Sequence, residues 1–105
     1  MEDKQLATNG SCIVASQEYV YCIGGCTEEA TTSRVERLNI VFELWEEVAS
    51  MYEARIGASG VGCGEKIFVG GGESEGKILN SVERYDPGSN QWTIVKPMKM
   101  KRSNF

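Results

Sequence analysis

The feature that most constrains this chain is a pattern that its 105 residues contain twice, at a constant offset of 47 positions. Each copy runs from a double glycine through a Val-Glu-Arg triplet and a tryptophan to a methionine and an arginine. Self-similarity at a period of roughly 20–50 residues is typical of repeat architectures. Residues 11–57 and 58–105 are therefore predicted to be two equivalent folding units, with residues 1–10 as the end of a preceding unit or a frayed terminus. The paired landmarks are Gly24 and Gly71, Gly25 and Gly72, Val35 and Val82, Trp45 and Trp92, Met51 and Met98, and Arg55 and Arg102.

Each copy contains four candidate β-strands. They are rich in β-branched and aromatic residues, and Gly, Ser, Asn and Pro mark their ends. No segment shows a helical period, so the predicted fold is all-β, with two four-stranded antiparallel sheets. The predicted strands are 11–15, 19–24, 34–40 and 44–49 in the first copy, and 58–62, 66–71, 81–86 and 91–96 in the second.

The order of these landmarks resembles the kelch repeat. The second copy, with Val82-Glu83-Arg84-Tyr85-Asp86-Pro87 and Asn90-Gln91-Trp92, is most similar to repeats of the BTB-kelch (kelch-like) proteins. The resemblance covers about residues 10–105 and implies two blades of a kelch-type β-propeller. Because a closed propeller has about 4–8 blades, two blades form a partial ring.

The resemblance also assigns structural roles to the repeated residues. It implies that each double glycine lies where another blade's backbone and a tryptophan approach closely, and that the tryptophans join adjacent blades. Repetition of the charged pairs at one offset favours a blade-building role for them. These structural motif residues are Gly24, Gly25, Gly71, Gly72, Trp45, Trp92, Glu36, Arg37, Glu83 and Arg84.

Composition argues against several classes of function. A net charge of −4 without any histidine argues against a nucleic-acid partner, which needs a clustered basic surface. No apolar run approaches the roughly 20 residues of a membrane helix, and the N-terminal residues lack the features of a signal peptide. We therefore expect a cytoplasmic protein with neither a nucleic-acid nor a membrane partner.

The sequence offers no catalytic or metal-binding constellation. The four cysteines do not form paired C-x-x-C motifs, and histidine, the commonest general base and metal ligand, is absent. We expect small, buried, reduced thiols, with one loop cysteine as the candidate reactive thiol. No metal, no cofactor and no enzymatic activity are predicted. The strand cysteines are Cys12, Cys22 and Cys63, and the loop cysteine is Cys26.

Protein binding is the function that remains. The kelch resemblance implies that partners contact two kinds of loop on one rim: those between the second and third strands (26–33 and 73–80), and those linking successive blades (50–57 and 97–104). Arginine binds carboxylates bidentately, which predicts an acidic peptide partner, but an arginine repeated at this point equally suits bracing of the turn. The predicted partner-binding residues are Thr27, Glu28, Arg55, Ile56, Ser74, Glu75, Arg102, Ser103 and Asn104.

Three functional hypotheses follow from the resemblance. The first is a propeller segment that recognises substrates for a cullin-type ubiquitin ligase adaptor. The alternatives are an actin-binding cytoskeletal scaffold and, from the enzyme class, a fragment similar to galactose oxidase. Since two blades leave faces that need neighbours, we also expect further blades from a longer parent chain, or self-association of three copies into a six-bladed ring.

Overall fold

A computed structural model describes residues 10–95 of the chain. The predictions for residues 1–9, for the end of the last strand, and for Met98, Arg102, Ser103 and Asn104 lie outside the described residues. Within residues 10–95 the backbone forms strands and turns, without a helix. The strands are β1 (Cys12–Ser16), β2 (Tyr19–Ile23), β3 (Val35–Asn39), β4 (Leu44–Val48), β5 (Ser59–Cys63), β6 (Lys66–Gly70), β7 (Glu73–Ser74), β8 (Lys77–Ile78), β9 (Val82–Asp86) and β10 (Gln91–Val95).

The eight longer strands form two antiparallel sheets of four, which confirms the predicted fold. Sheet 1 has the order β1-β2-β3-β4, and sheet 2 has the matching order β5-β6-β9-β10. Each sheet is a meander, because each strand pairs with its neighbours in the chain, apart from the small hairpin between β6 and β9. The ring is not closed in this segment.

That hairpin is formed by β7 and β8 and lies within residues 73–80, a segment that the sequence predicts to be a loop. Its two-residue turn, Glu75-Gly76, has positive φ at both positions (51° and 83°). This is the backbone of a type I′ turn, which suits the twist of paired strands and favours glycine at its second position. The loop therefore presents Glu75 at a defined point on the rim.

The two sheets pack face to face, and side chains alternate between the faces along each strand. We call the face of sheet 2 that packs on sheet 1 its front face, and we call the repeat-equivalent face of sheet 1 by the same name. The opposite face of each sheet is its back face. The core lies between the back face of sheet 1 and the front face of sheet 2. Its back-face members are Cys12, Val14, Tyr21, Ile23, Val35 and Val48, and its front-face members are Ile67, Val69, Tyr85 and Trp92.

The first strands of the two sheets approach each other because sheet 2 carries glycines there. A Cβ on Gly60 would lie 2.6 Å from Cys12 Sγ and 2.8 Å from Val14 Cγ2. Real Cβ atoms do not tolerate such distances, so a larger residue would force β5 away from β1. Gly60 thus sets the spacing of the two sheets.

Candidate functional site

The linker 49–57, which joins sheet 1 to sheet 2, passes directly against the first double glycine. Gly24 has a φ of 66°, and a Cβ there would lie 2.6 Å from the carbonyl oxygen of Arg55. The next amide, that of Gly25, donates a 2.6 Å hydrogen bond to the same oxygen. Glycine is needed because it combines positive φ with close backbone approach. The predicted crowding by a neighbouring backbone is observed, but the side chain nearest Gly24 is Met51 and not a tryptophan.

Arg55 extends from this linker into sheet 2 and is 1% exposed. Its Nη1 donates to the carbonyl oxygens of Gly71 (2.9 Å) and Ser81 (3.0 Å). Its Nη2 donates to Ser81 Oγ at 2.8 Å and to Glu83 Oε2 at 3.0 Å. The planar guanidinium therefore connects the linker to the ends of β6 and β9 through fixed donors.

Glu83 completes this arrangement from the front face of sheet 2, where it is fully buried. Its two carboxylate oxygens accept the backbone amides of Tyr52 (2.7 Å) and Glu53 (3.1 Å). A buried ion pair is costly to desolvate unless further hydrogen bonds satisfy its atoms. Here those bonds come from the linker itself, so the pair fixes the path of the chain between the sheets. The Ser81 hydroxyl adds a hydrogen bond to Glu53.

These contacts describe Arg55 as the brace of the turn, the second of the two roles that the sequence left open. This differs from the partner-contact expectation, because the guanidinium is buried and four of its hydrogen bonds are made within the chain. No pattern in the sequence identifies Ser81 and Gly71 as its partners, because only the packing of the two sheets brings them to Arg55.

The two tryptophans occupy equivalent positions on the front faces but differ in surroundings. Trp92 is buried, stacks on Tyr85 with ring centroids 5.0 Å apart, and donates its indole N–H to the carbonyl oxygen of Ala49 at 2.8 Å. Asn90 accepts the amide of the same Ala49 at 2.9 Å. Trp92 thus joins the two sheets through Ala49, which directly follows β4, and not through the glycines. Trp45 is half-buried.

In each Val-Glu-Arg triplet, the glutamate and the arginine lie on opposite faces of the sheet. Glu36 is buried on the front face of sheet 1, as Glu83 is in sheet 2. Arg37 lies on the back face of sheet 1, where it pairs with Glu46 (Nη2 to Oε1, 2.6 Å) and covers the ring of Tyr19 at 4.0 Å. Arg84 occupies the equivalent half-buried position in sheet 2. Although desolvation acts in the opposite direction, hydrogen bonds from Arg37 to Tyr21 and Glu46 raise the pKa of its guanidinium above the usual value.

Among residues 10–95, the remaining predicted contact residues lie on the linker and on the two loops that bond to it. The half-buried Thr27 accepts the amides of Glu29 (3.2 Å) and Ala30 (3.3 Å), which fixes the turn that exposes Glu28. On the other side of the linker, Ile56 and Glu73 exchange two 2.9 Å backbone hydrogen bonds. These bonds attach the hairpin of Ser74 and Glu75 to the linker. Glu29, Tyr52, Glu73, Lys77 and Ile78 are also exposed in the predicted contact loops, although they are not among the individually predicted contact residues.

None of the four cysteines forms a disulfide, and of the three expected to be buried in strands, Cys22 is half-buried and Cys63 is exposed. Cys12 is buried, and this burial raises the pKa of its thiol to about 11, which keeps it protonated and unreactive. Cys63, expected to be buried, is exposed at the end of β5, whereas Cys26 is half-buried. Across residues 10–95, no group of three or more His, Cys, Asp or Glu side chains is arranged to hold a metal ion.

In the same part of the chain, no helix has the length and apolar character that a membrane span requires.

The architecture defines a class of protein: two consecutive four-stranded meanders, braced through their linker, are blades of a β-propeller. The kelch motif matches residues 7–52 and 54–99. The chain is 33% identical over 100 residues to Kelch-like protein 41a of Danio rerio, 35% over 88 residues to Kelch-like protein 23 of Homo sapiens, and 31% over 104 residues to an F-box/kelch-repeat protein of Arabidopsis thaliana. The chain belongs to the kelch-repeat family.

The matches cover most of this chain and a small part of each relative. They include 94%, 82% and 95% of the chain, but only 17%, 15% and 22% of the respective relatives. Family membership, together with the two sheets, makes this segment a protein–protein interaction module of the propeller type.

Proposed function

We propose that the rim formed by the loops 26–33 and 73–80 binds an extended segment of a partner protein. The observation that carries this proposal is the way the linker holds both loops. The amide of Gly25 bonds to Arg55 on one side, and Ile56 bonds to Glu73 on the other. Loops fixed in this way lose little conformational entropy on binding, which favours affinity.

The charge of the rim favours a basic partner segment. Its exposed charged side chains are Glu28, Glu29, Glu73 and Glu75, against the single described cation Lys77. The acidic-partner expectation relied on Arg55, whose charge is already used by Glu83, and on Arg102. Complementary charge raises association rates and selects among partners. We therefore propose a lysine- or arginine-containing segment as the ligand of this rim.

The finer proposal concerns a longer parent protein. One of the relatives is named an F-box/kelch-repeat protein, and another is named a kelch-like protein. On that basis we propose that the propeller selects substrates for a ubiquitin ligase adaptor. The proposal involves no catalysis by these residues and no cofactor. Localisation in the cytoplasm is part of the same proposal.

The binding proposal is tested by selecting peptides from a random library on the immobilised chain. We expect enrichment of basic segments, and at least about tenfold weaker binding by a Glu28→Lys/Glu75→Lys variant, because two favourable charge contacts become repulsive. Glu43→Lys is the matched control, since Glu43 is an exposed glutamate on the β3–β4 turn at the other end of the strands. Acidic peptides, or equal losses in both variants, would contradict the proposal.

The adaptor proposal needs the longer parent. We expect a protein that carries the selected segment to be ubiquitinated when the parent is present, and to lose this modification with the Glu28→Lys/Glu75→Lys change. Co-sedimentation of the parent with actin filaments, without such ubiquitination, would instead support the cytoskeletal alternative.

A further inference from the structure

The turn between β3 and β4 exposes a group of apolar side chains. Residues 40–43 form this turn, and Leu44 begins β4. The side chains of Val41, Phe42 and Leu44 are 60%, 71% and 50% exposed, and we call these three residues the apolar tip. A single exposed apolar residue is ordinary, but several side by side are typical of an interaction surface.

The second repeat shows that the backbone of this turn does not require apolar residues. At the 47-residue offset, Gly88, Ser89 and Gln91 occupy the positions of the apolar tip. The two turns end in the same backbone conformation, with a φ of 56° at Glu43 and of 54° at Asn90. Sheet 2 thus closes the equivalent turn with small and polar residues. Folding of the turn therefore does not explain the apolar tip.

Hydrogen bonds within the chain fix the position of the apolar tip. The side-chain oxygen of Asn39 accepts the amides of Val41 (3.0 Å) and Phe42 (3.1 Å). The amide of Ile40 donates to the carbonyl oxygen of Glu18 at 2.9 Å, which attaches the turn to the neighbouring β1–β2 turn. Because the tip is already ordered, a partner that binds it pays little conformational entropy.

Packing of blade on blade, as it occurs between the two sheets, leaves the positions of the apolar tip uncovered. The tip is exposed although sheet 2 packs on sheet 1 as the following blade. Sheet 1 in turn precedes sheet 2, and there Gly88, Ser89 and Gln91 are exposed. Beyond its two chain neighbours, a Cβ on Gly88 would meet only Asp86 Oδ1 of its own turn within 4 Å among the described residues. The apolar tip therefore stays accessible when a further blade precedes it.

The charges beside the apolar tip are negative. Glu43 lies in the turn and Glu18 on the adjoining β1–β2 turn, and both are exposed. Arg37, the cation of β3, is already paired with Glu46. Segments that bind anionic membranes combine their apolar anchor with lysine and arginine, so these carboxylates disfavour a lipid partner. They suit a protein surface on which lysine or arginine borders an apolar groove.

We propose that the apolar tip docks into an apolar groove of a partner protein whose border carries lysine or arginine side chains. Phe42 is the anchor, because aromatic residues that become fully buried dominate the energetics of such contacts. Glu18 and Glu43 supply the complementary charge. Tip-to-tip contact of two copies is disfavoured, because it would bring the same carboxylates together. The tip lies at the opposite end of the strands from the rim of loops 26–33 and 73–80, so the two surfaces are independent.

A variant built from the other repeat removes the apolar tip and keeps the turn. Val41→Gly/Phe42→Ser/Leu44→Gln gives sheet 1 the residues that sheet 2 has at the equivalent positions. Ile78→Ser is the matched control, since Ile78 is an exposed apolar residue on the β7–β8 hairpin at the opposite rim. Near-ultraviolet circular dichroism of the tryptophans verifies that both variants are folded.

Photo-crosslinking tests the chemistry of the partner. The full chain, with benzoylphenylalanine in place of Phe42, is irradiated in a cell extract, and the crosslinked peptides are identified by mass spectrometry. We expect the crosslinked position of the captured protein to lie among apolar residues bordered by lysine or arginine. Capture alone does not support the proposal, so the captured protein is purified for binding measurements.

Titration of that purified protein measures the contribution of the tip. We expect the three-residue variant to bind at least about tenfold more weakly than the wild type, and Ile78→Ser to bind equally well. Glu18→Gln/Glu43→Gln should slow association at low salt and have little effect at high salt, because exposed charges act mainly on the association rate and are screened by ions.

Two measurements on the full chain distinguish the other occupants. Sedimentation detects self-association, and flotation with vesicles of phosphatidylcholine, with or without phosphatidylserine, detects lipid binding. Self-association or vesicle binding that the three-residue variant loses would assign the tip to a second copy or to a lipid surface, and would overturn the proposal. We expect neither.

The proposal is also overturned if no protein is crosslinked at position 42, if the crosslinked surface lacks basic residues, or if Ile78→Ser weakens binding as much as the three-residue variant does. The changes to the apolar tip do not touch Glu28 or Glu75, so peptide binding at the rim is a separate readout. Loss of partner binding with retained peptide binding separates this inference from the proposed function.

Discussion

The two sheets carry the same landmarks, but their front faces have different neighbours. In sheet 2 the front face packs on sheet 1, and Glu83, Tyr85 and Trp92 are buried. At the equivalent positions of sheet 1, Glu36 is buried as Glu83 is, but Leu38 and Trp45 are only half-buried, because no other described sheet lies against them. A residue's place in the repeat thus determines its strand and its face of the sheet. Its contribution to stability depends on the neighbouring blade.

The same contrast separates two ion pairs. Arg55 and Glu83 are both fully buried at the junction of the sheets, 3.0 Å apart. Arg37 and Glu46 are closer, at 2.6 Å, but the glutamate side chain is 48% exposed. Solvent screens the second pair, so the shorter distance does not make it the stronger contribution.

The largest expected effect comes from removing the buried carboxylate. Glu83→Ala removes the acceptor of the Tyr52 and Glu53 amides and the buried carboxylate of the Arg55 pair, which leaves the guanidinium with neutral acceptors and the partly exposed Glu53 carboxylate at 3.6 Å. We expect the free energy of unfolding to fall by about 3–5 kcal/mol, against less than about 1 kcal/mol for Glu46→Ala, which removes the exposed partner of the Arg37 pair. Urea unfolding followed by tryptophan fluorescence measures both. Equal losses would show that the junction is not distinct from the surface.

A second change sharpens this result. Glu83→Ala combined with Arg55→Met removes both charges, so that no guanidinium remains buried without its buried carboxylate partner. We expect the double variant to be more stable than Glu83→Ala alone, because the unpaired charge is the main cost of the single change. A double variant that is less stable than either single one would contradict this explanation.

The next effect concerns alkaline pH and the buried tyrosine of the front face. Burial raises the pKa of Tyr85 from 10.0 to about 12, and burial also raises that of Tyr21 despite the opposing hydrogen bond from Arg37. The unfolded phenol loses its proton before the folded one does, so stability is complete below about pH 10 and falls as the pH rises toward 12. The Tyr85 share is at most about 3 kcal/mol.

Tyr85→Phe tests this share directly. We expect it to lower stability at neutral pH by about 1 kcal/mol, because the hydrogen bond from its hydroxyl to Asn90 is lost. The decline in the free energy of unfolding between pH 10 and 12 should become shallower. An unchanged slope in the variant would exclude Tyr85 as a source of the alkaline sensitivity.

A further comparison concerns the two tryptophans at equivalent positions. Trp92→Phe loses the hydrogen bond to Ala49 and part of the packing on Tyr85, which should cost about 1–3 kcal/mol. Trp45→Phe should cost less than about 1 kcal/mol in a dilute solution of single copies, because that indole is half-buried. Thermal unfolding monitored by circular dichroism provides the comparison. Equal costs would mean that the neighbouring blade does not decide the contribution.

The strands were predictable because their signals are local. Enrichment in β-branched and aromatic residues, with turn-forming residues at the ends, placed the eight long strands to within one residue at each end that the structure describes. The β7–β8 hairpin was missed because two-residue strands carry almost no periodic signal, although Glu75-Gly76 suits a type I′ turn. The exposed Cys63 was missed because its exposure depends on where β5 ends.

The candidate site was only partly predictable. The offset identifies Arg55 and Glu83 as members of two separate repeated landmarks, but they lie 28 positions apart and their contact forms only when two sheets pack. For that reason the sequence left Arg55 open between a partner contact and a brace. The burial of its guanidinium, and with it the acidic character of the described rim, follows from tertiary packing.

The sequence alone determined the strands, the order of each meander and the equivalence of the two repeats, because these follow from side-chain alternation, turn-forming residues and a constant offset. Only the tertiary structure decided which charges are buried, which loops share a rim and which faces remain available. The physical reason is that burial and electrostatic interaction depend on distance in space. Residues 47 positions apart occupy equivalent positions in the repeat, but the packed sheets place them in different environments.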